Sequence, residues 1–182
     1  MRPLFVRRTH LALRSPSALR PPTHRPSTNG IRLARRAPCT VSEYRALYRL
    51  VGQRWHWRDR LAWSDERLAE WLARPDVAVW VLTVGDDAAG FFELVSHEAG
   101  NVEIVYFGLA ESAIGRGLGG WMLARAAEEA WAMGARWVGL NTCSLDGPAA
   151  LPNYLARGFL PYRTEEYVTV VEQPGLGTRD SV

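Results

Sequence analysis

The sequence predicts an α/β (α+β) fold in which helices flank a mixed, mostly antiparallel sheet. Three observations carry that prediction. Three β-rich runs follow one another at short spacing, separated by turn residues: "VAVWVLTV", "FFELVS" and "VEIVYFGL". Short turns between such runs indicate antiparallel hairpins. The last run leads into a glycine cluster, "IGRGLGGWML", that opens a helix over about 117–134, ended by Gly134. After it the order is strand, helix, strand, which places helices on the faces of the sheet rather than in a uniform βαβ array.

The elements before the meander are locally signalled. Thr40 and Glu43 fit a capping box. Tyr44, Leu47, Tyr48 and Val51 then recur at i, i+3, i+4 and i+7, one apolar helical stripe. The tryptophan-rich stretch "RWHWRDRLAW" follows. Ser64 is placed to cap a second helix with Leu68, Trp71 and Leu72 on one face, stopped by Pro75. Beyond the glycine helix, "RWVGLNT" reads as a strand, "AALPNYLAR" as a short helix closed by Gly158, and "EEYVTVV" as the last strand.

Composition narrows the class. A chain of 182 residues suits one domain over 31–182. Residues 1–30 form a basic segment rich in arginine, proline and serine. They read either as a transit-like leader or, preferably, as a first strand over 9–13 followed by the connector "SPSALRPPTHRPS". Charge is uneven: nine arginines and no acid precede Glu43, whereas thirteen arginines face nineteen acids after it. The body is therefore mildly acidic, which argues against a nucleic-acid partner. No apolar run reaches the ~18–20 residues of a bilayer span. Cys39 and Cys143 form neither a disulfide framework nor a metal-binding pattern, so no metal is expected and a reducing cytoplasm is the simplest setting. A homodimer is expected only because that is the commonest assembly.

The glycines pose the chemical question. At the start of a helix, amide hydrogens lack intrahelical partners and the dipole is positive. Small residues let an anion approach that backbone closely, so the segment Gly115–Gly120 predicts a phosphate or diphosphate guest, with Arg116 adding a full charge. Gly115, Gly117 and Gly120 satisfy the spacing of a dinucleotide fingerprint. The acid required about 20 positions on is absent, however, and the nearest is Asp146. A Walker loop fails because the chain has no lysine.

Residues 102–159 resemble the GCN5-related N-acetyltransferase superfamily. Its acetyl-CoA loop, Q/R-x-x-G-x-G/A, maps onto Ile114, Gly115, Arg116, Gly117, Leu118 and Gly119, with Ile114 departing from the usual polar residue. A second signature, A-I-x-L-Y-x-x-x-G-F, is matched by Ala150, Leu151, Tyr154, Gly158 and Phe159. Gly147 stands where an asparagine is common. The resemblance implies acetyl-CoA as co-substrate, held by Gly115, Arg116, Gly117, Leu118, Gly119 and Gly120. It also implies that backbone amides of Phe107, Gly108 and Leu109 hold the donor where the strand splays, with Gly108 as the weak point. Tyr154 would be the general acid toward the leaving thiolate. Glu103, six positions ahead of Leu109 in an E-I-V sequence, would be the general base, with Glu93 as its rival. The region around Trp55, Trp57 and Asp59 would receive the acceptor, a small-molecule amine or a protein amine. Asp146 either caps the short helix or faces substrate. The implied activity is direct acetyl transfer to an amine. Other classes are a CoA-binding sensor or scaffold without turnover and an NAD-binding oxidoreductase.

Overall fold

The computed structural model describes residues 2–22 and 30–171. Part of the expected connector and the residues after 171 lie outside them. The elements in chain order are β1 (Arg2–Leu13), β2 (Ile31–Arg36), α1 (Val41–Gly52), α2 (Asp65–Leu72), β3 (Val77–Val84), β4 (Asp87–Ser96), β5 (Asn101–Leu109), α3 (Leu118–Ala132), β6 (Trp137–Cys143), α4 (Ala150–Ala156) and β7 (Leu160–Val171). They build one seven-stranded sheet in the order β2-β3-β4-β5-β6-β1-β7. Every neighbouring pair is antiparallel except β5 with β6.

Local chemistry sets the helix starts. The Thr40 hydroxyl accepts from the Glu43 amide while the Glu43 carboxylate accepts from the Thr40 amide, so the capping box is formed in full. The Ser64 hydroxyl accepts from the Arg67 amide at the head of α2. The apolar stripes then choose faces. Tyr44, Leu47, Tyr48 and Val51 of α1 and Leu68 of α2 pack on Val79, Val81 and Phe91 of the sheet. On the opposite face, Leu118, Met122, Leu123 and the buried alanines of α3, with Tyr154 of α4, pack on Leu11, Leu82, Phe92, Leu94, Val102, Ile104 and Leu140. Alanines at 126, 127 and 130 let α3 lie close to the strands.

Two strands depart furthest from the sequence reading, while β4 and β7 only begin four and five residues earlier than expected. β2, with Ile31 and Leu33 among arginines, forms an edge strand paired to β3 that the sequence reading left unassigned. β1 is longer than 9–13 and lies inside the sheet, between β6 and β7. Beyond Arg8 it leaves β6 and continues with β7 as a two-stranded ribbon, on which Phe5, opposite Val168, is 86% exposed. Along this ribbon Val6 is buried and Leu4 half-buried while Pro3, Phe5 and Arg7 are exposed, so only one of its faces is covered.

Candidate active site

The sheet parts in its middle. Parallel pairing of β5 with β6 runs only from Asn101↔Trp137 to Ile104↔Leu140. β5 meanwhile stays paired to β4 as far as Gly90↔Leu109. The edge of β5 from Val105 to Leu109 that faces β6 therefore has no strand partner. A register shift of β4–β5 between Glu93 and Leu94 helps to turn it. Phe107 and Leu109 face α3 and α4, while Tyr106 joins the cluster beneath α1.

Gly108 has a different reason to be glycine from the one the sequence suggested. A Cβ there would stand 2.4 Å from Val51 Cγ1, so the residue lets α1 press onto the strand. The parting of the strands has already happened four residues earlier, at Ile104.

The glycine loop faces this opening. Gly115 and Gly117 hold positive φ, 80° and 74°, and Gly117 is the N-cap of α3 without a side-chain cap. No amide from Gly115 to Gly120 donates a hydrogen bond among the described residues. A Cβ at Gly115 would meet nothing within 4 Å, and one at Gly119 only ordinary contacts at 3.8 Å. Protein packing therefore leaves open space beside Gly115 and no tight contact at Gly119, whereas Asn153, Arg157 and Pro22 stand close to Gly120. Arg116 is exposed and has no ion pair among the described residues. Leu118 is buried in the core, so its amide alone faces the loop.

Across the opening, the Tyr154 ring is T-shaped to Phe107 at 6.2 Å and to Phe159 at 6.4 Å. Its hydroxyl makes no hydrogen bond to a described residue. Burial, with a smaller contribution from Asp146, raises its pKa above the ordinary phenol value, which keeps it protonated. Asp146 does not cap α4, whose N-cap is Ala149. Its carboxylate instead accepts from Thr142 Oγ1 at 2.7 Å and the Cys143 amide at 2.9 Å, folding the loop back on β6.

The two carboxylates weighed as bases are placed very differently. Glu93 is fully buried. It accepts from the Tyr44 hydroxyl, from Arg60 Nη2 at 3.0 Å and from Trp71 Nε1 at 3.0 Å. The Arg60 guanidinium lies over Trp63 at 4.0 Å and Trp71 at 4.6 Å. Glu93 is thus committed to a closed ion pair, an arrangement 33 residues apart in sequence that no local pattern announces. The Glu103 side chain is 33% exposed, with His97 Nε2 at 3.2 Å and Asn141 Nδ2 donating at 3.5 Å. It sits one residue before the last paired position of β5 and β6.

The tryptophan-rich segment divides its roles. Trp55 lines a cleft of about 450 Å³ with Leu50, Gln53, Leu109 and Ile114, with the Arg54–Glu111 ion pair also on its lining. The same ring covers Gly147, where a Cβ would meet it at 3.1 Å. Trp57 packs against Tyr48 and Tyr106, at 5.4 and 5.0 Å, so it chiefly supports the core. Asp59 is exposed and accepts from the Tyr106 hydroxyl at 3.5 Å. Burial raises the thiol pKa of both cysteines, that of Cys39 to about 11. Among the described residues no cluster of His, Cys, Asp and Glu could hold a metal ion, and no helix is long and apolar enough to cross a membrane.

Solved structures give this fold its class, that of the GCN5-related N-acetyltransferases. The protein of that description from Kribbella flavida superposes with a TM-score of 0.63 at 20% identity, over 91% of this chain and 58% of its own. The one from Sphaerobacter thermophilus gives 0.62 at 17% identity, over 92% of this chain and 51% of its own. An aminoglycoside acetyltransferase from an uncultured soil metagenomic sample gives 0.59 at 16% identity, over 71% of this chain and 88% of its own. The chain thus spans little more than half the length of the first two. The model of the Acetyltransferase (GNAT) family matches residues 44–159, and the chain belongs to that family. A search of curated proteins by sequence found no significant match.

Proposed function

We propose that the protein transfers an acetyl group from acetyl-CoA directly to an amine. The observation that carries this reading is the row of amides from Gly115 to Gly120 that meet no acceptor among the described residues, set at a helix N-terminus beside the parted strands β5 and β6. Those amides and Arg116 suit the diphosphate of coenzyme A. The unpaired edge of Phe107, Gly108 and Leu109 suits the pantetheine amides and the thioester carbonyl.

The residues then divide the chemistry. The amine enters by the cleft at Leu109 and Trp55. Its nitrogen forms a bond to the thioester carbon as the carbon–sulfur bond breaks. Glu103 takes the amine proton, directly or through water, and Tyr154 gives a proton to the departing sulfur. Holding both reactants together supplies up to ~7–11 kcal/mol of the barrier in favourable cases. The raised thiol pKa of Cys143 supports direct transfer over an acyl-cysteine, since a protonated thiol is a poor nucleophile.

The test is free-thiol release from acetyl-CoA in the presence of a panel of polyamines, amino acids, aminoglycosides and peptides. Amine-dependent release above hydrolysis is expected. Binding of acetyl-CoA with no release for any amine would favour a sensor or scaffold. Thermal protection by NAD and not by CoA would favour an oxidoreductase.

A further inference from the structure

Arg157, in the last turn beyond α4, is only 8% exposed, yet its Nε and Nη1 are buried with no hydrogen-bond partner. A buried guanidinium without an anion is costly, because its water is lost and nothing replaces it. Among the described residues the other deeply buried arginine, Arg60, has Glu93. Arg157 has no such carboxylate among the described residues.

Its position indicates what the charge is for. From the point where a Cβ of Gly120 would stand, Asn153 Oδ1 is 3.4 Å away, Arg157 Nη1 3.5 Å and Pro22 Cβ 3.6 Å. The guanidinium therefore lies against the first turn of α3, next to the amides that have no partner. The connector after β1 passes over it: the Arg20 amide donates to the Arg157 carbonyl at 3.1 Å, and Ala18 lies against Gly158. That anchor uses backbone atoms and leaves the side chain's donors unused.

We infer that Arg157 is a second cation for the donor's diphosphate, reaching it from α4 beneath the connector while Arg116 stands on the solvent side. The inference rests on the acetyl-CoA reading and adds a residue at a position that neither signature of the sequence specifies. It accounts for two things together: a buried positive charge with no partner among the described residues, and a helix start whose amides find no acceptor among them. Both lack the same thing, an anionic acceptor, and one diphosphate would supply it to both. A charge-assisted hydrogen bond of this kind contributes roughly ten- to hundredfold in affinity.

The experiment compares the wild type with Arg157→Met and Arg157→Lys. It measures the melting temperature of the free proteins and calorimetric affinities for CoA and dephospho-CoA, which lacks the 3′-phosphate. Arg157→Met is expected to melt at or above the wild type and to bind both nucleotides roughly ten- to hundredfold more weakly. Arg157→Lys is expected to fall between. Unchanged affinity in Arg157→Met overturns the inference. So does a free Arg157→Met protein that melts far lower or fails to fold, because the guanidinium would then be holding the fold. A loss confined to CoA moves the contact to the 3′-phosphate and overturns the diphosphate assignment. A wild type that binds neither nucleotide overturns the acetyl-CoA reading instead. In that case thermal protection by inorganic pyrophosphate in the wild type but not in Arg157→Met keeps the anion site, and no protection removes it.

Discussion

Replacing Tyr154 by phenylalanine separates chemistry from packing at one atom. The ring is buried against Phe107 and Phe159, and those contacts survive the change. The hydroxyl makes no hydrogen bond to a described residue, so its removal leaves no partner orphaned. Stability should stay within about 1 kcal/mol of the wild type, because the large penalty for a lost hydrogen bond comes from the abandoned partner. For a domain of this size that is a shift of no more than ~2–4 °C in melting temperature. Affinity for CoA should also hold. Turnover is different. A positioned general acid is worth typically ~10²–10⁴-fold, so kcat should fall by at least ~100-fold. Burial raises the phenol's pKa, so the proton remains available through neutral and moderately alkaline pH, and wild-type turnover should not decline there from loss of this acid. The assay is thiol release at saturating amine, beside a melt and a CoA titration. An unchanged kcat would reduce Tyr154 to packing, and a collapse of the melt would show that its hydroxyl holds structure instead.

Glu103→Gln should lower turnover by roughly 10²-fold with CoA affinity intact, and its residual rate should rise with pH as free amine becomes available; an undiminished rate removes Glu103 as the base. Gly108→Ala puts a Cβ 2.4 Å from Val51 Cγ1 and should destabilise by about 1–3 kcal/mol in urea unfolding. Adding Val51→Ala should recover part of that loss, and strictly additive effects would refute the clash. Tyr44, Tyr48, Tyr106 and Tyr154 all have pKa values raised chiefly by burial. The unfolded chain then ionises first, from about pH 10, so stability is full below that value and falls as pH rises, by up to ~1.4 kcal/mol per unit for each group. A flat profile between pH 9 and 11 would contradict their burial.

How much of this could be read from sequence followed the range of each interaction. The capping box of Thr40 and Glu43 and the cap at Ser64 are complete within four residues, and they formed as written. The glycine loop is also local, and its free amides follow from helix geometry alone. β2 escaped notice because its two apolar residues, Ile31 and Leu33, sit among arginines behind a proline-rich connector. The place of β1 was hidden for another reason: Arg8 pairs with Cys143 and Glu165, and nothing near Arg8 names partners so distant. Glu93 and Glu103 look alike on neighbouring strands, and only the packing of Arg60, Tyr44 and Trp71 around the former tells them apart. The need for glycine at 108 is not local, because the Val51 side chain that a Cβ would strike lies 57 residues away. Arg157 lies just before Gly158 of the second signature, but its want of a partner is a property of the folded surroundings.

The most direct measurement is a calorimetric titration of the wild-type protein with acetyl-CoA, paired with a melt at saturating nucleotide. The free amides of Gly115–Gly120 predict saturable binding at one site per chain. At a hundredfold excess over Kd the native state gains ~2.7 kcal/mol, a rise on the order of 5–10 °C. No heat and no thermal protection at millimolar acetyl-CoA would contradict the account.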